Sequence, residues 1–224
     1  MNKFYQIYQF AAPALLFPIG YYLWLQRFGG NHALVGLTLS LPVIFAYVIP
    51  GIGTNCLKLW EFNTCIRVGR YRPHHGFVFG TAVSLFGLVC HEPQVNAVSF
   101  AGLLRAGFIL GSVMAFWNWL YDVLAVKAGF ISIHKPSHYQ GTSTETVIME
   151  YAPILFGVFG FCYGVFVNLA YHHLYQLQQS HLYWPFLFWG NLAVLVIPLM
   201  VFCVFSLGKY GKFGIESILK GGER

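Results

Sequence analysis

Charge is scarce in this chain, and acidic charge most of all. Asp and Glu together number seven among 224 residues, and charged residues make up 9% of the sequence, against roughly 25% in an average soluble domain. So few charges cannot cover the surface of a water-soluble fold of this size. The hydrophobic fraction of 57% instead indicates a protein whose surface faces lipid.

Three other sequence signals that the chain lacks narrow the class of protein further: a disulfide framework, a nucleic-acid-binding motif and a signal-peptide cleavage site. The five cysteines are odd in number and have no CxxC spacing, which favours unpaired thiols over a disulfide framework. No nucleic-acid motif accompanies the net charge of +6, so we interpret the charge as membrane orientation and contact with anionic lipids. Pro13, Pro18 and the bulky residues 21–24 are unlike a signal-peptide cleavage site, which favours a retained first helix.

Six apolar runs approach the length needed to cross a bilayer as helices, which takes about 20 residues. They are continuously apolar and lack the alternation of membrane β-strands. The sequence therefore predicts an all-α integral membrane protein with one domain, residues 1–224. Its six spans are expected at about 5–26, 33–53, 76–91, 97–120, 151–172 and 184–207. The third run is the shortest, and whether it spans fully stays open.

The basic residues fall almost entirely in alternate gaps between the six runs. Cytoplasmic loops collect Lys and Arg, so the side that holds most of them is predicted to be cytoplasmic. With the N-terminus inside, that side holds eleven of the thirteen: Lys3, Lys58, Arg67, Arg70, Arg72, Lys127, Lys135, Lys209, Lys212, Lys220 and Arg224. We therefore expect both termini to be cytoplasmic, at the inner or plasma membrane if the source is bacterial.

Two of the predicted cytoplasmic loops share a pattern. Residues 60–62 and 120–122 each place an acid near the membrane exit, and each segment is followed by a basic-x-Gly that ends at Gly69 or Gly129. We expect both segments to be helical and to stop at these glycines, which tolerate the left-handed C-terminal conformation. The pattern also suggests an internal duplication. After the second loop, residues 142–145 fit a capping box that starts the fifth helix.

The predicted cytoplasmic end gathers the most ionisable groups. A carboxyl group next to hydrocarbon loses contact with water, which suits it to donate or accept protons. The candidate catalytic residues are Glu61, Asp122, Glu150, His74 and His75, and the candidate substrate-binding residues at this end are Arg70 and Arg72. The alternative is that Glu61 and Asp122 pair with nearby basic residues and only anchor the loops.

The predicted outer end offers a candidate metal or haem site. His91 and Glu92 follow the third run, and His172 and His173 close the fifth. Imidazole and carboxylate ligands suit Zn, Fe or Cu. Adjacent histidines on a helix point about 100° apart, so at most one of His172 and His173 faces a given partner. Hydrogen-bonded or solvated histidines are the alternative.

Arg105 is the third candidate substrate-binding residue. It is predicted about 12 Å from the outer end of the fourth run, at 1.5 Å per residue. A charge within a span costs several kcal/mol unless it is paired. We therefore expect Arg105 to face the interior of the bundle, with Glu92 as the nearest acid.

The segment 119–129 (WLYDVLAVKAG), followed by Glu145 and Glu150 and then by Pro153, resembles the small transmembrane lycopene cyclases. Those proteins have a Trp-Asp pair, a glycine and a Pro-x-Glu-Glu run that opens the next helix. Here the contiguous Glu-Glu is absent and the proline follows the acids. The resemblance implies chemistry in which a protonated carboxyl adds a proton to an isoprenoid double bond, without a cofactor.

Three functions remain open at this point. The first is a membrane enzyme that acts on a lipid or isoprenoid-type substrate by acid-base chemistry at the cytoplasmic interface. The second is a subunit of a membrane complex that binds a pigment, quinone, haem or metal, which the aromatic fraction of 19% would suit. The third is a small transporter or channel. Expected partners are membrane lipids, other membrane subunits or a second copy of the chain, and no nucleic acid.

Overall fold

Helices dominate the computed structural model, which describes residues 3–92 and 98–215. The α-helices are α1 (Lys3–Ala11), α2 (Phe17–Arg27), α3 (His32–Gly51), α4 (His75–Cys90), α5 (Phe100–Lys127), α6 (Thr144–Ala170) and α7 (Tyr183–Tyr210). Two short strands, β1 (Trp60–Phe62) and β2 (Ile131–Ile133), lie in the two longest connections between them. Residue 97 of the predicted fourth span, and Lys220 and Arg224, lie outside the described residues.

Several helices continue into a wider π-helical turn. Such turns join α1 to α2 at Ala12–Leu16, extend α3 through Ile52–Cys56 and extend α6 through Tyr171–Gln176. Pro13 explains the first of them, because proline lacks a backbone N–H and its ring clashes with the carbonyl of the preceding turn. The wider turn relieves that clash without ending the helix.

Four helical segments of the described chain are long and apolar enough to cross a membrane. They are His32–Cys56, Phe100–Lys127, Thr144–Gln176 and Ser180–Tyr210. They correspond to the second, fourth, fifth and sixth predicted runs. The first predicted run is divided by its π-helical turn, and the third forms α4, a shorter apolar helix of 16 residues. The structure thus supports an all-α membrane protein.

Two helix ends agree with the sequence signals. The side chain of Ser143 accepts a hydrogen bond from the backbone N–H of Thr146 at 3.1 Å, so the serine of the capping box, and not the threonine before it, caps α6. At the end of α5, Gly129 has φ +68°. The Phe130 N–H then donates to the carbonyl of Ala125 at 2.8 Å. The prediction that Gly129 stops this helix is confirmed.

The prediction of a helix that stops at Gly69 is wrong. The helical extension of α3 ends at Cys56, Lys58 has φ +56°, and the chain then forms β1, which pairs antiparallel with β2. Gly69 has φ +62° but occupies a tight turn in the loop. The two loops therefore differ in structure, so their shared pattern does not reflect a structural repeat.

Close packing between α5 and α6 fixes the side chains of one helix relative to those of the other. A Cβ added at Gly160 would lie 2.8 Å from the carbonyl oxygen of Leu110, and one at Gly164 would lie 2.8 Å from that of Ala106. Real Cβ atoms do not approach a backbone oxygen so closely. The glycines therefore allow the two backbones to touch, as small residues commonly do between membrane helices.

The bundle has two distinct ends. The sheet end carries β1 and β2, the start of α1, where Tyr5 packs beside them, and the contact of α6 with α7, where Lys209 lies 2.7 Å from Glu150. The opposite end carries the turn between α2 and α3 and the end of α4. There the guanidinium of Arg27 donates to the backbone carbonyl of His91 at 2.7 Å.

Candidate functional site: an apolar cavity at the sheet end

A cavity of about 240 Å³ lies at the sheet end, between α3, α4, α5, α6 and α7, with β1 and β2 contributing to its wall. Most of its lining is aliphatic or aromatic. The polar and ionisable side chains in the wall include His75, Asn118, Tyr121, Asp122, His134 and Tyr151. A mostly apolar cavity with a few converging polar groups is the usual form of a site for a hydrophobic small molecule.

Asp122 is the only carboxylate that the described residues place in this wall. Its Oδ2 accepts a hydrogen bond of 2.7 Å from the phenol of Tyr151, which projects from α6. None of the salt bridges among the described residues involves Asp122. The carboxyl group is therefore oriented by a neutral partner, and its other oxygen remains for a ligand or a proton.

The neighbours of Asp122 on α5 widen the polar patch. Asn118 lies one helical turn before Asp122 and on the same helix face. Tyr121, which directly precedes Asp122, also lines the cavity, so all three residues contribute to its wall. The amide nitrogen of Asn118 donates to the carbonyl of Met114 at 2.9 Å. That bond holds the side-chain amide against its own helix.

Arg72 lies behind this wall and is completely buried. Its guanidinium carbon lies 4.6 Å from the ring centroid of Phe62 and 4.7 Å from that of Phe130, so two aromatic rings contact the cation. Burial lowers the pKa of Arg72, while the phenol of Tyr121 opposes that shift. Among the described residues, neither Nε nor Nη1 of Arg72 has a hydrogen-bond partner.

His75 connects Arg72 to the cavity. The Nη2 of Arg72 lies 2.6 Å from Nδ1 of His75, and His75 itself is part of the cavity wall. An arginine has no acceptor atom and keeps its protons, so Nδ1 must be the acceptor. The contact therefore holds His75 as the neutral tautomer whose proton is on Nε2.

His74 lies close by but does not line the cavity. Its ring stacks on Phe10 with centroids 5.2 Å apart, and its Nε2 lies 3.3 Å from Oε1 of Gln9. Burial, with a smaller contribution from the charge of Arg72, lowers the pKa of His74 to about 4. His74 is thus a neutral packing residue near pH 7.

The other two predicted acids, Glu61 and Glu150, are not among the residues that line the cavity, and each has a partner of its own. Glu61 lies 3.6 Å from Nε2 of His134. Glu150 accepts hydrogen bonds from Lys209 at 2.7 Å, from Tyr210 at 2.6 Å and from Tyr139 at 3.1 Å. With its carboxylate occupied in this way, Glu150 links the first turns of α6 to the end of α7.

The remaining candidate arginines lie away from the cavity. The backbone N–H of Arg70 donates to Oδ1 of Asn55 at 2.9 Å, and its side chain is half-buried in the loop. Arg105 lies 3.6 Å from Glu92, as the sequence suggested, but its side chain is 61% exposed. The expectation that Arg105 faces the bundle interior is therefore wrong. It is the sixth residue of α5, within the second turn of the helix. A long side chain this close to a helix end can extend its charged group toward polar surroundings.

The four candidate metal ligands at the opposite end have separate surroundings. The ring of His91 is buried against Trp24, and Glu92 pairs with Arg105 as described. His172 and His173 each contact a glutamine, at 2.7 Å and 2.8 Å. Across residues 3–92 and 98–215, no group of three or more His, Cys, Asp or Glu side chains is placed to hold a metal ion.

Sequence reasoning missed several residues of the cavity. Asn118 had a usable signal, since it lies four residues before Asp122 and therefore on the same helix face. Tyr151 had none, because its contact with Asp122 joins two helices and is invisible to local patterns. The cage of Phe62 and Phe130 around Arg72 depends on the pairing of β1 with β2, which is equally non-local.

No protein-family model, no curated protein and no solved structure matches this chain. The chemistry open to the cavity therefore rests on the placement of Asp122, Tyr151, His75 and Arg72.

Proposed function

We propose that this chain is a membrane enzyme that acts on a lipid or isoprenoid-type substrate by acid-base chemistry. In this proposal α1 and α2 together, and α4, complete six spans, and the sheet end faces the cytoplasm. The observation that supports the proposal best is a mostly apolar cavity in which Asp122, oriented by Tyr151, is the one carboxyl group that the described residues place in the wall.

The proposed reaction needs only a proton. The Asp122 carboxyl O–H adds its proton to one carbon of a double bond, and the neighbouring carbon becomes a carbocation. The carboxylate, or another base, then removes a proton from a different carbon, which restores a double bond and balances the reaction without an oxidant or a reductant. Tyr151 holds the carboxyl group by its Oδ2 through both steps.

The aromatic wall suits such an intermediate. Phe45, Phe79 and Phe156 line the cavity and contact one another, with ring centroids 5.7 to 6.4 Å apart. The faces of aromatic rings attract cations, by about 0.5–2 kcal/mol each. These rings can therefore stabilise the carbocation while they exclude water that would quench it.

Deuterium incorporation tests the proposal. Membranes that contain the protein are incubated in D₂O with their own extracted lipids, and mass spectrometry follows deuterium at non-exchangeable carbon positions. We expect the wild type to label an apolar lipid. Asp122→Asn should lower the labelling rate about 100-fold or more, because general acid-base groups contribute roughly 10²–10⁴-fold.

Glu61→Gln is the matched control, since it removes a carboxylate at the same end but outside the cavity wall. It should label lipid at close to the wild-type rate. Absence of labelling by the wild type, or equal labelling by Asp122→Asn, would contradict the proposal. Stoichiometric binding of a pigment or quinone without labelling would instead support a ligand-binding subunit, which the aromatic cavity also suits.

The orientation has its own test. Cys56 and Cys65 are exposed at the sheet end. A maleimide that cannot cross membranes should label them in inside-out vesicles and leave them unlabelled in intact cells. The reverse labelling pattern would place the sheet end outside the cell. In the double variant Cys56→Ser/Cys65→Ser the maleimide signal should disappear, which identifies these two cysteines as its source.

A further inference from the structure

The surroundings of His75 indicate which kind of ligand the cavity of the proposed function would bind. Its Nδ1 is occupied by Arg72 at 2.6 Å, and within residues 3–92 and 98–215 no hydrogen bond to its Nε2 accompanies this contact. His75 keeps 8% of its surface accessible and forms part of the cavity wall. The group that it can offer to a cavity ligand is therefore an N–H donor, and it has no acceptor left.

The donor is reinforced from behind. Arg72 is a completely buried cation with no carboxylate partner among the described residues. Its positive charge polarises the imidazole, because linked hydrogen bonds strengthen one another in a low-dielectric interior. The ring of Phe62, 4.6 Å from that of His75, restricts its rotation. The Nε2–H is thus a fixed, polarised donor.

We infer that the cavity binds an apolar molecule that carries a neutral acceptor oxygen, such as a carbonyl, and that His75 holds this oxygen through Nε2–H. A pure hydrocarbon would leave the buried donor without a partner, which is costly. A fully charged head group would be desolvated by the apolar wall. This inference rests on the proposed function because it concerns the same cavity. It does not depend on the proposed transfer of a proton from Asp122.

Quenching of Trp60 provides the test, because Trp60 lines the same cavity. The probes are a long-chain methyl ketone with a terminal bromine and the bromoalkane of equal chain length, added to the full-length protein in detergent. Fluorescence of the Trp60→Phe variant is subtracted to remove the other tryptophans. We expect the ketone to bind about three- to tenfold more tightly than the alkane, as one hydrogen bond would give.

His75→Phe should abolish this preference, and His75→Gln, whose amide offers an N–H at a similar position, should retain part of it. Equal binding of ketone and alkane by the wild type, or an unchanged preference in His75→Phe, overturns the inference. Asp122→Asn should keep the preference even though it loses deuterium labelling. Failure of the inference and failure of the proposed function are therefore distinguishable.

A second measurement covers the case in which His75→Phe does not fold. Nitrogen-15 NMR of the wild type with labelled histidine reports the tautomer, and His75→Gln identifies the His75 signal. We expect a neutral ring with the proton on Nε2 at pH 7. A proton on Nδ1, or a doubly protonated ring, overturns the inference.

Discussion

Each end of the bundle holds a buried histidine next to an arginine, and the two pairs are built differently. At the sheet end Arg72 contacts the ring nitrogen of His75, which lines a cavity of about 240 Å³. At the opposite end Arg27 contacts the backbone carbonyl of His91, whose two ring nitrogens have no partner among the described residues. The space beside His91 is about 10 Å³.

The two histidine–arginine pairs use the same residue types but differ in the open space beside them. A volume near 10 Å³ is about the room that one water molecule needs. His91 also packs against Trp24, Phe28 and Tyr171, with ring centroids 5.4 to 5.8 Å apart. Within the described residues, the sheet end combines ionisable groups with a cavity of about 240 Å³, whereas the space beside His91 is about 10 Å³.

The two arginines give the largest expected contrast. Arg72→Lys should lower the free energy of unfolding by about 1–3 kcal/mol, because lysine loses the planar stacking on two rings and the fixed direction of the hydrogen bond. Arg27→Lys should cost less than about 1 kcal/mol, since Arg27 is exposed and its contact is a single hydrogen bond. Unfolding in mixed micelles with increasing SDS measures both.

Equal losses in the two variants would contradict this contrast between the ends. Arg70→Lys serves as a second control at the sheet end itself, because only its backbone forms a hydrogen bond there. It should unfold like the wild type.

Tyr151→Phe tests how the carboxyl group is oriented. Without the phenol, Asp122 loses the 2.7 Å hydrogen bond that fixes its Oδ2. We expect deuterium labelling to slow about tenfold, equivalent to about 1.4 kcal/mol, while the protein stays folded. Tyr175→Phe, at the opposite end, should not change the rate. A Tyr151→Phe variant with full activity would show that the orientation of Asp122 does not matter.

A smaller effect is expected when His74, at the sheet end, is replaced and the stability of the protein is measured in acid. The pKa of His74 is about 4 in the folded protein, against an ordinary value of 6.5. Between these two pH values His74 is protonated in the unfolded chain but neutral in the folded chain. The free energy of unfolding therefore falls as the pH is lowered from 6.5 toward 4, and His74 has no effect on it above 6.5. His74→Gln should flatten part of this slope. Parallel slopes in the two proteins would exclude His74 as the cause.

The smallest effect is expected for Lys209→Met. Its ion pair with Glu150 is short but the lysine side chain is 46% exposed, and exposed ion pairs contribute little. Glu150 also keeps Tyr139 and Tyr210 as partners. We expect a slight fall in the unfolding midpoint that disappears at high salt. A fall larger than that of Arg72→Lys would show that this contact, and not the buried arginine, holds the sheet end together.

The helices were predictable because each is a local property of the chain. Continuous apolar runs mark the four long segments, and Gly129 marks the end of α5 because a left-handed residue stops a helix. The strands were not predictable, since three residues are too few to show a period and their pairing joins segments about seventy residues apart. Residues 60–62 carry the same kind of sequence signal as 120–122 and fold differently.

The site was predictable only in part. Asp122 and His75 were identified because few ionisable groups exist and these two lie near predicted span ends. Their proposed roles depend on Tyr151 and Arg72 through contacts between separate elements, which a single sequence does not reveal. Glu150 also lies near a predicted span end, but its three hydrogen-bonding neighbours occupy its carboxylate.

The pairing of β1 with β2 also sets an order of events during synthesis. Trp60–Phe62 leave the ribosome about seventy residues before their partner strand, with α4 and α5 in between. During that interval the backbone groups of β1 have no strand beside them, and the wall of the cavity is incomplete. Because α6 and α7 also line the cavity, its wall can be complete only after the chain up to α7 has been synthesised.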